Sequence, residues 1–457
     1  MIQIGSRKPI LIALSIVFFS RFLTFFSHPQ AAMSPDSSTY FTGRFLDFEL
    51  VSFTGHSSRG WLVPLIFAFA PNGSALILFQ LIISGLAWAL LILTVNNLFE
   101  DSRFLRILLV GITVISSSPQ VIQHDTVILA TSITNSLFLI LVSVLFKINL
   151  GKVLSSKMLL SALFASFLLM IQKTTYISIC LSLLAVTLIL NWKTFKLKNK
   201  VGSIFLITVI SASSFLTGAN INANWQVSYS GQTLLWQLGA QSPTADSFAN
   251  FLKEKNAPNC ITAEAPYQNL DTSIGKILNG CAAGAEYLKK NLKSQFLSFL
   301  STNPIAVIKL VSIGFGATAT SASSNYGSAV SIFPDFASKL FFGSTSPNIA
   351  ESSISDQVEG MKLLDSGKSF WLFTPLFGWI FLAFLGMVIS RNSFKENGFL
   401  YLALALCLLQ SSLTFVLLPS EWVRQSSPFT ISTLIISLLL VAKHVAPISD
   451  LSTKNDR

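Results

Sequence analysis

The sequence predicts an all-α polytopic membrane protein, about ten transmembrane helices with a small extracytoplasmic domain. Three observations carry that expectation. Only 11% of the 457 residues are charged, whereas soluble domains carry roughly 25%. Hydrophobic residues make up 51% and the mean hydropathy is +0.63. Apolar runs close to the ~20 residues that span a bilayer recur along the chain, and basic residues collect between alternate runs. A soluble enzyme, a disordered scaffold and a free nucleic-acid-binding protein are excluded. The formal charge of +11 reads as a topology signal, because Arg7, Lys8, Arg103, Arg106, Lys193, Lys196, Arg391 and Lys395 fall in segments predicted to be cytoplasmic.

Residues 10–27 form the first span; with Arg7-Lys8 ahead and no small-residue cleavage site, the sequence predicts a retained helix. The apolar stretch 61–70 is too short to cross and is expected at the interface. Further spans are predicted at 73–98, 104–118, 126–147, 157–171, 174–192, 202–219, 369–390, 398–418 and 428–446. Residues 157–192 as one helix would measure roughly 54 Å at 1.5 Å per residue, too long for a ~30 Å hydrocarbon core. The polar break Gln172-Lys173-Thr174-Thr175 therefore makes them a hairpin.

With both termini cytoplasmic, the outer face receives loops 28–72, 119–125, 220–368 and 419–427. Segment 304–319 is the ambiguous one. As a span it would throw Arg391 and Lys395 outside, against the positive-inside rule, so it is expected to lie on the surface or re-enter. The chain thus divides into an N-terminal transmembrane module (1–219), an extracytoplasmic domain (220–368) and a C-terminal module (369–457). Cys180 and Cys407 lie in spans. Cys260 and Cys281 share the outer domain, where disulfides persist. A bridge would close a loop of about 20 residues, worth roughly 3 kcal/mol, although spacing alone does not bring two Cα atoms within reach.

Soluble-enzyme motifs are absent. The histidines (His28, His56, His124, His444) are scattered, so no metal cage is expected. Chemistry is sought instead in polar residues gathered at one membrane face, because charges near lipid are expensive. In the first outer loop, Asp36 follows Ser34-Pro35. It is either the first acid of a capped helix or a carboxylate positioned to take a proton from an acceptor hydroxyl. Arg21, near the outer end of the first span, either snorkels or grips a phosphate with its guanidinium fork. Glu421 and Arg424 either pair at the interface or Arg424 is a second phosphate ligand. Asp125 opens the fourth span from outside, and Lys173 caps the hairpin. Asp36, Asp125, Arg21, Lys173 and Arg424 all fall on one side of the membrane.

In order along the chain come Arg21-Phe22-Leu23, Asp36, Tyr40, Arg59-Gly60-Trp61-Leu62-Val63-Pro64-Leu65 and Gln80. Ser118-Pro119, Asn303-Pro304 and Glu421-x-x-Arg424-x-x-x-Pro428 complete the set. This order resembles the GT-C superfamily of membrane glycosyltransferases, particularly the bacterial branch with aminoarabinose and protein mannosyl transferases. The motifs cover most of the chain, but each is degenerate, and the outer domain matches none of them. Two departures stand out. Asp36 is followed by Ser37 where relatives often carry a second acid, and Ala130-Thr131-Ser132 replaces the acid usual inside the fourth helix.

The resemblance implies transfer of a hexosyl or pentosyl group from a polyprenyl-phosphate donor, with Asp36 as general base and inversion at the anomeric carbon. Arg21 and Arg424, with Lys173, would stabilise the departing phosphate; Tyr40, Arg59, Asp125 and Glu421 would complete the binding site. No cofactor beyond the lipid-linked donor is implied. The partners are membrane lipids and a glycan, lipid or protein acceptor, not nucleic acid. The location implied is the plasma (inner) membrane. Trp225 and Trp236 are either core aromatics or sugar platforms. Two rivals remain. A polysaccharide polymerase or ligase of the envelope tends to use outer-loop arginines, but 220–368 holds ten Lys and no Arg. A transporter needs midplane polar groups and repeated halves, and neither is visible.

This topology makes one direct prediction. A cysteine introduced at Asn325 reacts with an impermeant reagent in intact cells, and one at Asn392 does not. The reverse pattern would mean that 304–319 crosses the membrane.

Overall fold

The computed structural model describes residues 7–32, 62–99, 103–151, 155–173, 175–193, 242–263, 279–320, 375–389, 393–417 and 422–445, with a few short pieces between them. Every regular element among them is helical. In order these are α1 (Arg7–Ser27), α2 (Leu62–Ala68), α3 (Gly73–Leu98), α4 (Arg103–Ser116), α5 (Pro119–Ile122) and a 3-10 turn (Gln123–Thr126). Then come α6 (Thr131–Asn149), α7 (Ser156–Gln172), α8 (Thr175–Leu190), α9 (Ala245–Glu254), α10 (Asn259–Thr262), α11 (Ala282–Lys290) and α12 (Leu292–Thr302). The last four are α13 (Pro304–Thr320), α14 (Pro375–Ile389), α15 (Ser393–Leu417) and α16 (Trp422–Val445).

Five described helices are long and apolar enough to cross a membrane: Lys8–Ser27, Gly73–Leu98, Thr131–Asn149, Asn397–Thr414 and Ser426–His444. A sixth span is made if the bent pair Leu105–Ser116 and Pro119–Thr126 counts as one, and Ser156–Gln172, Thr175–Leu190 and Leu376–Val388 are shorter apolar helices. The protein is a helical membrane protein. The expected seventh span, 202–219, falls mostly outside the described residues. On α1, Leu11, Ile12, Phe18, Phe19, Phe22 and Phe26 are all exposed. Lipid tails solvate such a face, and a closed helix leaves no backbone group unmet there.

Local chemistry sets the helix ends. Asn72 caps α3, its Oδ1 accepting the Ala75 N–H at 2.8 Å, and Ser155 caps α7 by accepting from Met158 N–H at 3.1 Å. Lys173 ends α7 in an extended conformation, and α8 starts two residues later. α7 and α8 therefore form the expected hairpin and pack on each other. Edge-on contacts join α6, α8 and α16 across the core: Phe138 and Phe429 at 5.4 Å, with Tyr176 tilted against Phe429 at 5.4 Å.

Three expectations are corrected. Segment 119–125 is not a loop: α4 bends by 52° and continues as α5 and the 3-10 turn, whose residues 119–126 are all buried. The bend has a cause. Ser116 and Ser118 donate their hydroxyls to Thr113 O (2.8 Å) and Ile115 O (2.7 Å), and Pro119 brings no N–H. The fourth span accordingly starts at Thr131, not at 126. Within the segment 61–70, Val63 and Phe67 of α2 are buried and the Val63 N–H is held by Gln172 Oε1 at 3.1 Å. The last helix begins at Trp422, so Pro428 lies within it and most of the expected loop 419–427 is helical.

Segment 304–319, expected to lie on the surface or to re-enter, is helical throughout. Its first half joins a hydrophobic core separate from that of the bundle through Ala306 and Leu310, with Phe248, Phe296 and Phe299. Further along, Gly314 presses on the backbone of Ser412 in α15; a Cβ there would come within 2.6 Å of Ser412 O. One helix thus runs from that core to the bundle. Cys260 and Cys281 are disulfide-bonded across α10 and the start of α11, beside that same core.

Gly314→Val should therefore force α13 away from α15. Overpacking at backbone contact costs about 1–3 kcal/mol, read as a lower thermal midpoint in detergent. An unchanged midpoint would mean the two helices can separate freely.

Candidate functional site

Two ionisable groups are enclosed in the bundle close together, and the rest of the site is built around them. Arg21 of α1 and Asp125 of the 3-10 turn are each 2% exposed, with Arg21 Nε 3.8 Å from Asp125 Oδ2. Arg21 enters the bundle because α3 has a glycine opposite it: a Cβ on Gly85 would lie 2.8 Å from the Phe18 ring and 3.3 Å from Arg21 Cδ. Its Nε and Nη2 donate to Ser84 Oγ at 3.3 and 3.0 Å, and Nη1 donates to Val17 O at 3.1 Å. Asp125 Oδ1 accepts the Ser132 hydroxyl at 2.6 Å. Its Oδ2 faces the guanidinium without accepting a hydrogen bond.

The turn that carries Asp125 is gripped from three sides. Ala32, shortly after α1, bridges to Val127: Ala32 N–H donates to Thr126 O (2.9 Å) and Ile128 N–H donates to Ala32 O (3.1 Å). Gln80 of α3 donates from Nε2 to Val127 O at 3.1 Å. Ser20 of α1 donates to Ser117 Oγ, 3.3 Å away at the bend. The backbone around Asp125 is thus fixed by α1, α3 and the first-loop root, all independent of the carboxylate itself.

A second polar contact links this turn to the last helix. Asn135, one turn past Ser132 on α6, donates from Nδ2 to Ser427 Oγ at 2.9 Å, and the Ser427 hydroxyl lies 3.1 Å from Asn135 Oδ1. Arg424 lies three residues before Ser427 in the first turn of α16. The same end of the bundle carries Gln410 of α15, which donates to Thr175 O (3.0 Å) and accepts the Ser178 hydroxyl (2.6 Å). Polar side chains in an apolar bundle find partners this way because an unmet one is costly.

The sequence-predicted residues divide into three groups. Arg21 and Asp125 are brought together: Arg21 is buried in the bundle, and Ser84 accepts from two of its guanidinium nitrogens. Lys173 and Arg424 lie on the described chain at the α7–α8 break and the start of α16. Asp36, Tyr40, Arg59, Glu421, Trp225 and Trp236 lie outside the described residues. Sequence reasoning missed Ser84, Asn135 and Ser427, and it named Gln80 and Ser132 as motif positions without giving either a role. A signal existed in the run Thr131-Ser132-Ile133-Thr134-Asn135-Ser136, too polar for a span interior. Among the described residues no group of three His, Cys, Asp or Glu side chains could hold a metal.

A buried pair has a distinctive mutational signature. Removing one partner strands the other charge and costs about 3–5 kcal/mol, whereas replacing both with apolar groups is far milder. Arg21→Met or Asp125→Leu alone should thus sharply lower the thermal midpoint in detergent, and the double variant should recover most of the loss. Additive losses would show that the two charges do not sense each other. No protein-family model, curated protein or solved structure matches the chain, so its functional reading rests on these residues and their geometry.

Proposed function

We propose that the protein is a membrane glycosyltransferase, moving a hexosyl or pentosyl group from a polyprenyl-phosphate donor to an acceptor at the extracytoplasmic face of the plasma membrane, with both termini cytoplasmic. The observation that carries the reading is the clamp on Ala32. The loop bearing Asp36 is rooted by two backbone hydrogen bonds on the turn that holds Asp125. Asp36 follows Ala32 by four residues, a tether of at most about 14 Å. A carboxylate that must meet a substrate at the membrane rim gains from such a fixed root, because reactivity depends on holding the reacting groups in register.

In this reading Asp36 takes the proton from the acceptor hydroxyl, whose oxygen attacks the anomeric carbon as the bond to the phosphate oxygen breaks. The leaving group departs as polyprenyl phosphate, and cations near that oxygen stabilise its charge. Arg424 and Lys173, with Arg59 from the first loop, are assigned that task. Arg21 serves instead to hold Asp125 and, through it, the turn under the loop. The Asn135–Ser427 contact keeps the start of α16 in register with the same turn. Tyr40 and Glu421 would border the sugar and its acceptor.

Asp36→Asn should leave insertion and thermal stability unchanged and lower sugar transfer by about 10²–10⁴-fold. Arg424→Lys should weaken donor binding markedly, because it retains charge but loses the bidentate fork; Glu421→Gln should be the milder change. Both are measured with a polyprenyl-phosphate sugar in lipid. Near wild-type turnover in the Asp36 variant would sink the assignment of the base.

A further inference from the structure

We infer that the outer domain docks on the bilayer surface through α12 and α13, with anionic phospholipid headgroups as its partner. On α12, Lys293 and Leu297 share an exposed row, and Leu297 is 53% exposed. On α13, Ile305 (70% exposed), Ile308 (65%) and the exposed Lys309 sit at i, i+3 and i+4, a single helix face. The opposite faces are the domain's own core: Leu292, Phe296 and Phe299 of α12, Ala306 and Leu310 of α13. A helix with one face filled by its own domain and a second face of bare isoleucines has an apolar surface that water does not suit.

The position of α13 selects the occupant. Gly314 touches Ser412 in the last turns of α15, a membrane-length helix ending at Leu417. Ile308 lies six residues before Gly314, about 9 Å along the helix axis. The exposed isoleucines therefore sit at the level where the bundle ends and headgroups begin. Charge matches as well. Residues 287–320 contain Lys289, Lys290, Lys293 and Lys309 and no Asp or Glu. All four are exposed, and of these Lys290 is paired with Glu286 at 2.8 Å. Lysines beside isoleucines lay their aliphatic stems on lipid and lift the ammonium to the phosphates. Anionic lipid is thus favoured over an uncharged surface. The inference does not depend on the chemistry of the Asp125 site.

The test uses the full chain in single-copy nanodiscs. Nitroxide labels are placed at Ile305→Cys and Ile308→Cys, with Glu254→Cys on the exposed end of α9 as the aqueous reference. The native thiols do not interfere, since Cys180 and Cys407 are buried and Cys260–Cys281 is bonded. Labels at 305 and 308 should collide several-fold more with oxygen and several-fold less with a water-soluble nickel chelate than the label at 254. Adding anionic phosphatidylglycerol to phosphatidylcholine should deepen both, and Lys293→Gln with Lys309→Gln should remove that lipid dependence. A chelate accessibility equal to that at 254 overturns the docking, as does a label shielded from both reagents. Burial that ignores lipid charge overturns the phosphate assignment.

Discussion

The enclosed Arg21–Asp125 pair is the constraint to which the surrounding bundle is fitted. Two charges taken out of water need each other and need further hydrogen bonds to be tolerable in an apolar setting. That requirement accounts for a series of otherwise unrelated residues. Gly85 clears the path for the guanidinium, Ser84 takes two of its N–H groups, and Ser132 meets the carboxylate. The bend of α4 into α5 is what carries Asp125 inward at all; a straight helix would carry the chain out to the membrane surface.

The same rule governs the backbone. Inside a bilayer each freed N–H or C=O must be met within the protein. The break after Ser116 meets it with serine hydroxyls, with Pro119 at the first helical turn, and with the Ala32 bridge to Thr126 and Ile128. A residue from the root of the first loop thus completes the hydrogen bonding of a turn far along the chain. One contact thus satisfies the broken span and roots the segment that follows α1. The proposed mechanism uses that root to hold the loop that would carry its base.

α13 spans two parts of the structure, one a hydrophobic core of its own and the other the bundle. Its first half packs with the phenylalanines of that core and its second half meets α15 through Gly314. A core joined to the bundle by a continuous helix has fewer ways to tilt than one hung on linkers. In the proposed docking, that packing sets the height of the exposed isoleucine face at the lipid surface.

The amino-acid sequence by itself determined the class and the parts. The low charge, the recurring apolar runs and the alternating basic loops required a helical membrane protein. The break at Gln172-Lys173 required a hairpin, and capping residues such as Asn72 and Ser155 marked helix starts. Those signals are local, carried by spacings of a few residues, and hydropathy reads them. It could not read that Asp125 turns inward, that Arg21 follows it, or that segment 304–319 runs from a separate core to the bundle. The partners Arg21, Ser84, Asp125 and Ser132 come from four separate elements, and a buried serine has the same hydropathy as an exposed one. Only the tertiary structure decided which polar groups meet, because in lipid a charge is stable wherever distant segments happen to supply its counter-charge and hydrogen bonds.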